Sequence, residues 1–102
     1  MTDVVINPAR HRFELDLADG QIGFAEYRLL DGGRILFPHT VVPEGHEGHG
    51  YGTRLIEAGL AHAREQGLKV IPQCSFFRAY MNKHPEARDL LDPASADLLD
   101  QA

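Results

Sequence analysis

Residues 41–74 read VVPEGHEGHGYGTRLIEAGLAHAREQGLKVIPQC, and a change of period inside this stretch decides the fold. Within it, PEGHEGHGYGTRL at 43–55 gathers four glycines and two histidines ahead of a helical pattern. From Gly50 onward, Gly52, Leu55, Ile56, Gly59, Leu60 and Ala63 fall on one face of a helix, while Arg54, Glu57, Arg64 and Glu65 fall mostly elsewhere. Gly67 is a natural C-terminal stop, because glycine adopts the left-handed conformation that ends helices. The LKVIP that follows is a short apolar strand. Residues 35–72 therefore form a strand–helix–strand unit, which normally carries parallel strands and a right-handed crossover.

Upstream, the pattern is that of strands. RHRFELDL places Phe13, Leu15 and Leu17 on one side and Arg12, Glu14 and Asp16 on the other, the period of a half-buried strand. ADGQ is a turn. IGFAEYRLL continues as a second strand carrying Ile22, Phe24 and Tyr27, and ends at Asp31-Gly32-Gly33, which suits a hairpin. RILFPHTVV is a third strand, with Pro38 inside it. Proline cannot donate a ladder hydrogen bond, so this strand is expected to be bulged or unpaired on one side near residue 38. Downstream, SFFRAYMNKH and PEARDLL predict two short helices separated at Pro85, with Pro85 in a first-turn position. The tail DPASADLLDQA reads as a weak helix or a fraying end.

The chain has 102 residues, the size of a single domain over 1–102 with one modest core. Apolar residues make up 43% and charged residues 25%, the balance of a soluble globular protein. A net charge of −5 argues against nucleic acid as a partner, since that role relies on cationic side chains. A small or cationic partner fits better, with the chain a monomer or weak homodimer. The single cysteine, Cys74, excludes an internal disulfide framework, and the start MTDVVINPAR lacks the apolar core of a signal peptide. No apolar run approaches the roughly 20 residues that span a bilayer, so neither membrane insertion nor secretion is expected and a cytoplasmic location is.

A glycine-rich turn at a helix start offers bare backbone amides at the positive end of the helix dipole, where they hold phosphate or pyrophosphate. Gly48, Gly50 and Gly52 remove the β-carbons that would keep an anion away. A dinucleotide fingerprint would need glycine in place of Thr53, and a nucleotide-triphosphate loop would need a lysine beside the serine or threonine. A metal reading from His39, His46, His49, Glu44 and Glu47 fails on spacing. His46 and His49 are three apart across Gly48, whereas helical zinc sites place histidines four apart, so no metal is expected.

With these residues in view, the stretch from Val41 to Cys74 resembles the core of the GNAT superfamily of N-acetyltransferases. That family's acyl-coenzyme A loop reads Arg/Gln-x-x-Gly-x-Gly/Ala at a helix start, and Glu47, Gly48, His49, Gly50, Tyr51 and Gly52 occupy the pattern. HTVVPE, Cys74 and YMNKHPE resemble, more narrowly, the small GNAT-like subgroup of predicted acetyltransferases, over about residues 10–91. The resemblance implies an α+β fold: a mixed, mostly antiparallel sheet, a central β-α-β acyl-coenzyme A unit and short C-terminal helices. It also implies acetyl-coenzyme A as cosubstrate. The backbone of Val41 and Val42 would meet the pantetheine arm, the amides from Glu47 to Thr53, including His49 and Tyr51, would meet the pyrophosphate, and the thioester would lie between His39 or Thr40 and Cys74. The sequence departs from the family at Glu47 and His49, where arginine or glutamine and often lysine are usual. A carboxylate beside a pyrophosphate weakens binding, while a cradle of main-chain amides survives the change.

Transfer to an amine needs a neutral nucleophile, a stabilised oxyanion and an acid for the leaving thiolate. Cys74 either accepts the acyl group covalently or lines the pocket as a small hydrophobe. Tyr80 resembles in location the tyrosine that many GNAT enzymes use as general acid, or it packs. His39 serves as base or proton relay, or is solvated. The acceptor is a small amine or an exposed lysine. The reading from another class is a coenzyme A binding module without catalysis.

Overall fold

A computed structural model describes residues 3–99 of the chain. Strands β1 (Val5–Asn7), β2 (Arg12–Asp16) and β3 (Ile22–Glu26) are joined by turns and pair antiparallel. The chain then leaves this sheet at Tyr27 and starts a second with β4 (Arg28–Leu30) and β5 (Arg34–Leu36), connected through the positive-φ glycines 32 and 33. After β5 it returns to the first sheet as β6 (Thr40–Val41), antiparallel to β3. Helix α1 (Tyr51–Gln66) crosses over to β7 (Lys69–Ile71), which lies parallel to β5 with Ile35 opposite Val70. The two sheets are thus ordered β1-β2-β3-β6 and β4-β5-β7. Helix α2 (Ser75–Lys83) and two 3₁₀ helices, Pro85–Leu90 and Pro93–Leu98, complete the described residues.

The strand–helix–strand unit expected over 35–72 is present, and α1 buries the predicted face, Leu55, Ile56, Gly59, Leu60 and Ala63. Gly67 ends the helix at φ 69°, with its own N–H bonded to the Arg64 carbonyl and the Leu68 N–H to that of Ala63. These bonds satisfy two carbonyls that the helix end would leave open.

Two expectations need correction. Residues 22–30 and 34–42 are not continuous strands; each divides between the two sheets, at Tyr27 and at Phe37–His39. Pro38 marks the second break, which is complete rather than a bulge. Ile22 and Phe24, carried on the first of these segments, lie outside the core. The register sets Phe13 opposite Ala25 and Leu15 opposite Gly23, so Gly23, Ala25 and Tyr27 face inward. Helix α1 packs on that side: a β-carbon on Gly23 would make ordinary contact with Leu55 Cδ1 at 3.5 Å. Phe24 instead lies on the outer face with the Arg12 guanidinium 4.4 Å over its ring. The PEARDLL segment forms a 3₁₀ rather than an α-helix, begun by Pro85 as expected. The tail follows as the second 3₁₀ helix, and its residues 100–102 lie outside the described ones.

The core meets at Phe37. Its ring is fully buried and stacks on Phe77 at 4.1 Å between centroids, with Phe13 6.1 Å away. Gly59 of α1 packs on this stack. A β-carbon there would stand 3.0 Å from Phe37 Cε1 and Cζ and 3.3 Å from Phe77 Cζ. Both rings are fully enclosed and cannot yield without disturbing their neighbours. Gly59→Ala therefore gains up to about 1 kcal/mol of helix propensity and loses about 1–3 kcal/mol to overpacking. A net destabilisation of about 1 kcal/mol is expected in urea unfolding, whereas a gain would show that the stack has slack.

Candidate functional site

Between β6 and α1 the chain makes a glycine-rich loop. It begins with a turn in which the His46 N–H donates to the Pro43 carbonyl at 3.1 Å. Gly48 and Gly50 follow at φ 83° and 77°, conformations strained for any residue with a β-carbon. A β-carbon at either position would meet no protein atom within 4 Å, so space lies open beside them. Gly52 differs: it is helical, and its β-carbon would make ordinary contact with Val42 Cγ2 at 3.7 Å. The loop glycines thus serve first to set the backbone path.

Gly50 caps α1 in the left-handed conformation with no side-chain hydrogen bond to the helix start. The Arg54 N–H to the Gly50 carbonyl, 3.0 Å, is the helix's opening bond, so the amides of Tyr51, Gly52 and Thr53 precede the ladder. No acidic side chain occupies the first turn. These amides form the positive end of a 16-residue helix.

Two side chains of the loop hold it in place. Glu47 turns back so that its Oε1 accepts the Gly45 N–H at 3.0 Å. His46 Nε2 lies 2.7 Å from Asp19 Oδ2, tying the loop to the β2–β3 turn. Tyr51 packs near both histidine rings, 6.1 Å from His46 and 5.5 Å from His49. Asp19 titrates at about 2, lowered chiefly by the His46 hydrogen bond and further by the Gln21 side chain and N–H.

A cleft of about 550 Å³ opens between this loop, the start of α1 and one face of α2. Of the residues singled out in the sequence, Val42, Glu47, Gly48, Gly50, Tyr51, Gly52, Thr53 and Tyr80 line it. Val41, His49, His39 and Cys74 stand outside that lining. Val41 is exposed and pairs with Phe24 on β3. His39 is exposed, and its Nε2 lies 2.8 Å from Glu26 Oε1. Cys74 is buried at the start of α2: its N–H donates to the Phe37 carbonyl at 2.8 Å and its thiol to Thr40 Oγ1 at 3.4 Å.

Tyr80 presents its ring to the cleft and stacks on His84 at 4.1 Å. Its hydroxyl donates to Glu57 Oε2 at 3.1 Å. Burial, then the Glu57 hydrogen bond and the charges of Glu57 and Glu86, push the phenol up, so it keeps its proton at neutral pH. The sequence reading missed Ile56, Phe76, Ala79, Lys83 and His84 as lining residues. The signal was helical spacing: Phe76, Ala79, Tyr80 and Lys83 share one face of α2, while Phe77 and Met81 bury the other. Among the described residues no group of three His, Cys, Asp or Glu side chains is placed to hold a metal ion.

The sequence profile of the GCN5-related N-acetyl-transferase family matches residues 12–90. Among solved structures, the chain is similar to the NMR solution structure of a GCN5-like candidate N-acetyltransferase from Staphylococcus aureus. The two are 30% identical with a TM-score of 0.68, over 90% of this chain and 91% of the other. No curated protein matches.

The loop's tether makes a pH prediction. Asp19 has a folded value below its ordinary 3.8, so its stabilising contribution is present above that value and is lost as the pH falls from there towards about 2. Carboxyl-carbon NMR should find the Asp19 midpoint near 2, and higher in His46→Ala, though still below the ordinary value because both Gln21 bonds remain. An unchanged midpoint in that variant would place the cause elsewhere.

Proposed function

This chain belongs to the GCN5-related N-acetyltransferase family, and on that premise we propose that it transfers an acetyl group from acetyl-coenzyme A to an amine, with the cleft as the coenzyme site. The observation that carries the reading is the uncapped start of α1 beside Gly48 and Gly50, facing open space within that cleft. A pyrophosphate fits there: its charge complements the helix dipole, and its oxygens accept from the amides of Gly50 to Thr53. The amides of Glu47, Gly48 and His49 extend the cradle, and the backbone of Val41 and Val42 borders the pantetheine arm.

Bound acetyl-coenzyme A supplies the acetyl group as a thioester. The chain's residues do the rest. Thr40 and Cys74 mark the reacting end, where the two sheets part. Cys74 sits buried behind that end, outside the cleft's lining, and donates its hydrogen bond to the Thr40 hydroxyl rather than to a basic side chain among the described residues. Direct attack by the amine, without an acyl-enzyme, follows. Tyr80 holds a proton on its Oη in the form an acid needs, and delivers it once the hydroxyl turns from Glu57. His39, held by Glu26, receives the proton the amine gives up. Acceptors are small amines or exposed lysines, in the cytoplasm.

The Tyr80–Glu57 bond also favours a second reading, a coenzyme-binding module without turnover. The two separate by assay. Acetyl-coenzyme A at ~100 times its Kd stabilises by about 2.7 kcal/mol, which is on the order of 10 °C in Tm; no shift at millimolar ligand defeats both. With binding established, thiol release with an amine panel distinguishes enzyme from module. For the enzyme, Tyr80→Phe is expected to lower kcat by about 10²-fold, while Cys74→Ala still turns over and acetyl-coenzyme A alone leaves no acetyl adduct in the intact mass. An adduct lost in Cys74→Ala would replace direct transfer with the acyl-enzyme route.

A further inference from the structure

The loop has no basic side chain where its family pattern would have one, since Glu47 occupies the position and its carboxylate is committed to the Gly45 N–H. The cleft's other charged groups lie on or beside its walls. His46 is engaged by Asp19 and His84 by Glu86. Lys83, in the last turn of α2, is different. Its ammonium makes no hydrogen bond or ion pair with any described residue, Glu47 included, although it lines the same cleft.

The direction of α2 places that charge. The helix begins at Cys74, against Thr40 where the sheets part, and ends at Lys83, about 13 Å further along its axis at 1.5 Å per residue. That span is of the order of an extended pantetheine arm. Its far end is anchored, because the Arg88 guanidinium donates to the Met81 and Asn82 carbonyls at 3.0 and 2.8 Å. A cosubstrate with its thioester at Cys74 and its arm along the Phe76–Ala79–Tyr80 face therefore brings its phosphates to Lys83.

We propose that Lys83 is the cationic ligand of the cosubstrate's pyrophosphate, supplying from α2 the charge that position 47 of the loop lacks; this rests on the coenzyme reading of the cleft. The amides of the loop and the ammonium of Lys83 then hold the pyrophosphate from two sides. The ammonium needs no partner to be displaced first.

Isothermal titration with coenzyme A and with 3′-dephospho-coenzyme A, at several salt concentrations, tests this on wild type, Lys83→Gln and Lys83→Arg. Lys83→Gln is expected to raise Kd about tenfold for both ligands, the loss of a charged hydrogen bond, and to flatten the salt dependence. Lys83→Arg should restore most of the affinity, with the apo Tm of both variants near wild type. Wild-type binding together with an unchanged Kd in Lys83→Gln overturns the inference and leaves the coenzyme site standing. A loss seen with coenzyme A but not with the dephospho form assigns Lys83 to the 3′-phosphate and overturns the pyrophosphate assignment. Failure of wild type to bind either ligand removes the coenzyme reading and this inference with it.

Discussion

Phe37 is the constraint on which the rest of the structure depends. It follows β5 directly, and its N–H bonds to the Ile71 carbonyl at 3.1 Å, extending the pairing of β5 with β7 by one bond. Its own carbonyl accepts from Cys74 at 2.8 Å, and that bond sets where α2 begins. Pro38 follows and has no N–H to continue a ladder. The chain must therefore leave β5's neighbours, and β6 finds its partner in β3. Meanwhile the Phe37 ring fixes both helices, α2 through the stack on Phe77 and α1 through the bare backbone of Gly59. One residue thus determines where the sheets part and how close the helices lie, and these two features bound the cleft.

The electrostatics of the site follow from that geometry. The start of α1 is uncapped and has no carboxylate in its first turn, so its amides present positive potential to the cleft. Glu47, the residue that seemed most at odds with an anion site, bonds to the amide two residues before it and helps hold the loop. The acid has a local structural use, and among the described residues the cleft is lined on its α2 side by Lys83, whose ammonium has no side-chain partner.

Much of the fold was legible in the sequence because its signals are local. The helix over 51–66, its glycine stop and the strand after it are each written in consecutive residues. The same holds for the loop, whose left-handed conformations at Gly48 and Gly50 demand glycine at those positions. Alternation, by contrast, says that a segment is extended and nothing about which sheet it joins. That is why 22–30 and 34–42 read as single strands when each is divided between two. Nor does alternation say which face is inner: the register turns Gly23 and Ala25 inward from β3 and leaves Ile22 and Phe24 outside the core. The face of α2 that lines the cleft was hidden for a related reason. Helical spacing shows two faces, and only the position of α1 decides that Phe77 and Met81 enter the core while Phe76, Ala79, Tyr80 and Lys83 border open space. Cys74 and Tyr80 were picked out by position, yet their hydrogen bonds to Thr40 and Glu57 join residues 34 and 23 apart in the chain.

The central claim, that the cleft between the glycine loop and α2 receives acetyl-coenzyme A, is most directly tested by following backbone amide resonances during titration with that ligand. Saturable shifts are expected at Gly48 and Gly50 through Thr53 and along the Phe76–Lys83 face of α2, with β1 and the outer face of β2 undisturbed. Shifts centred elsewhere, or none at millimolar ligand, would contradict it.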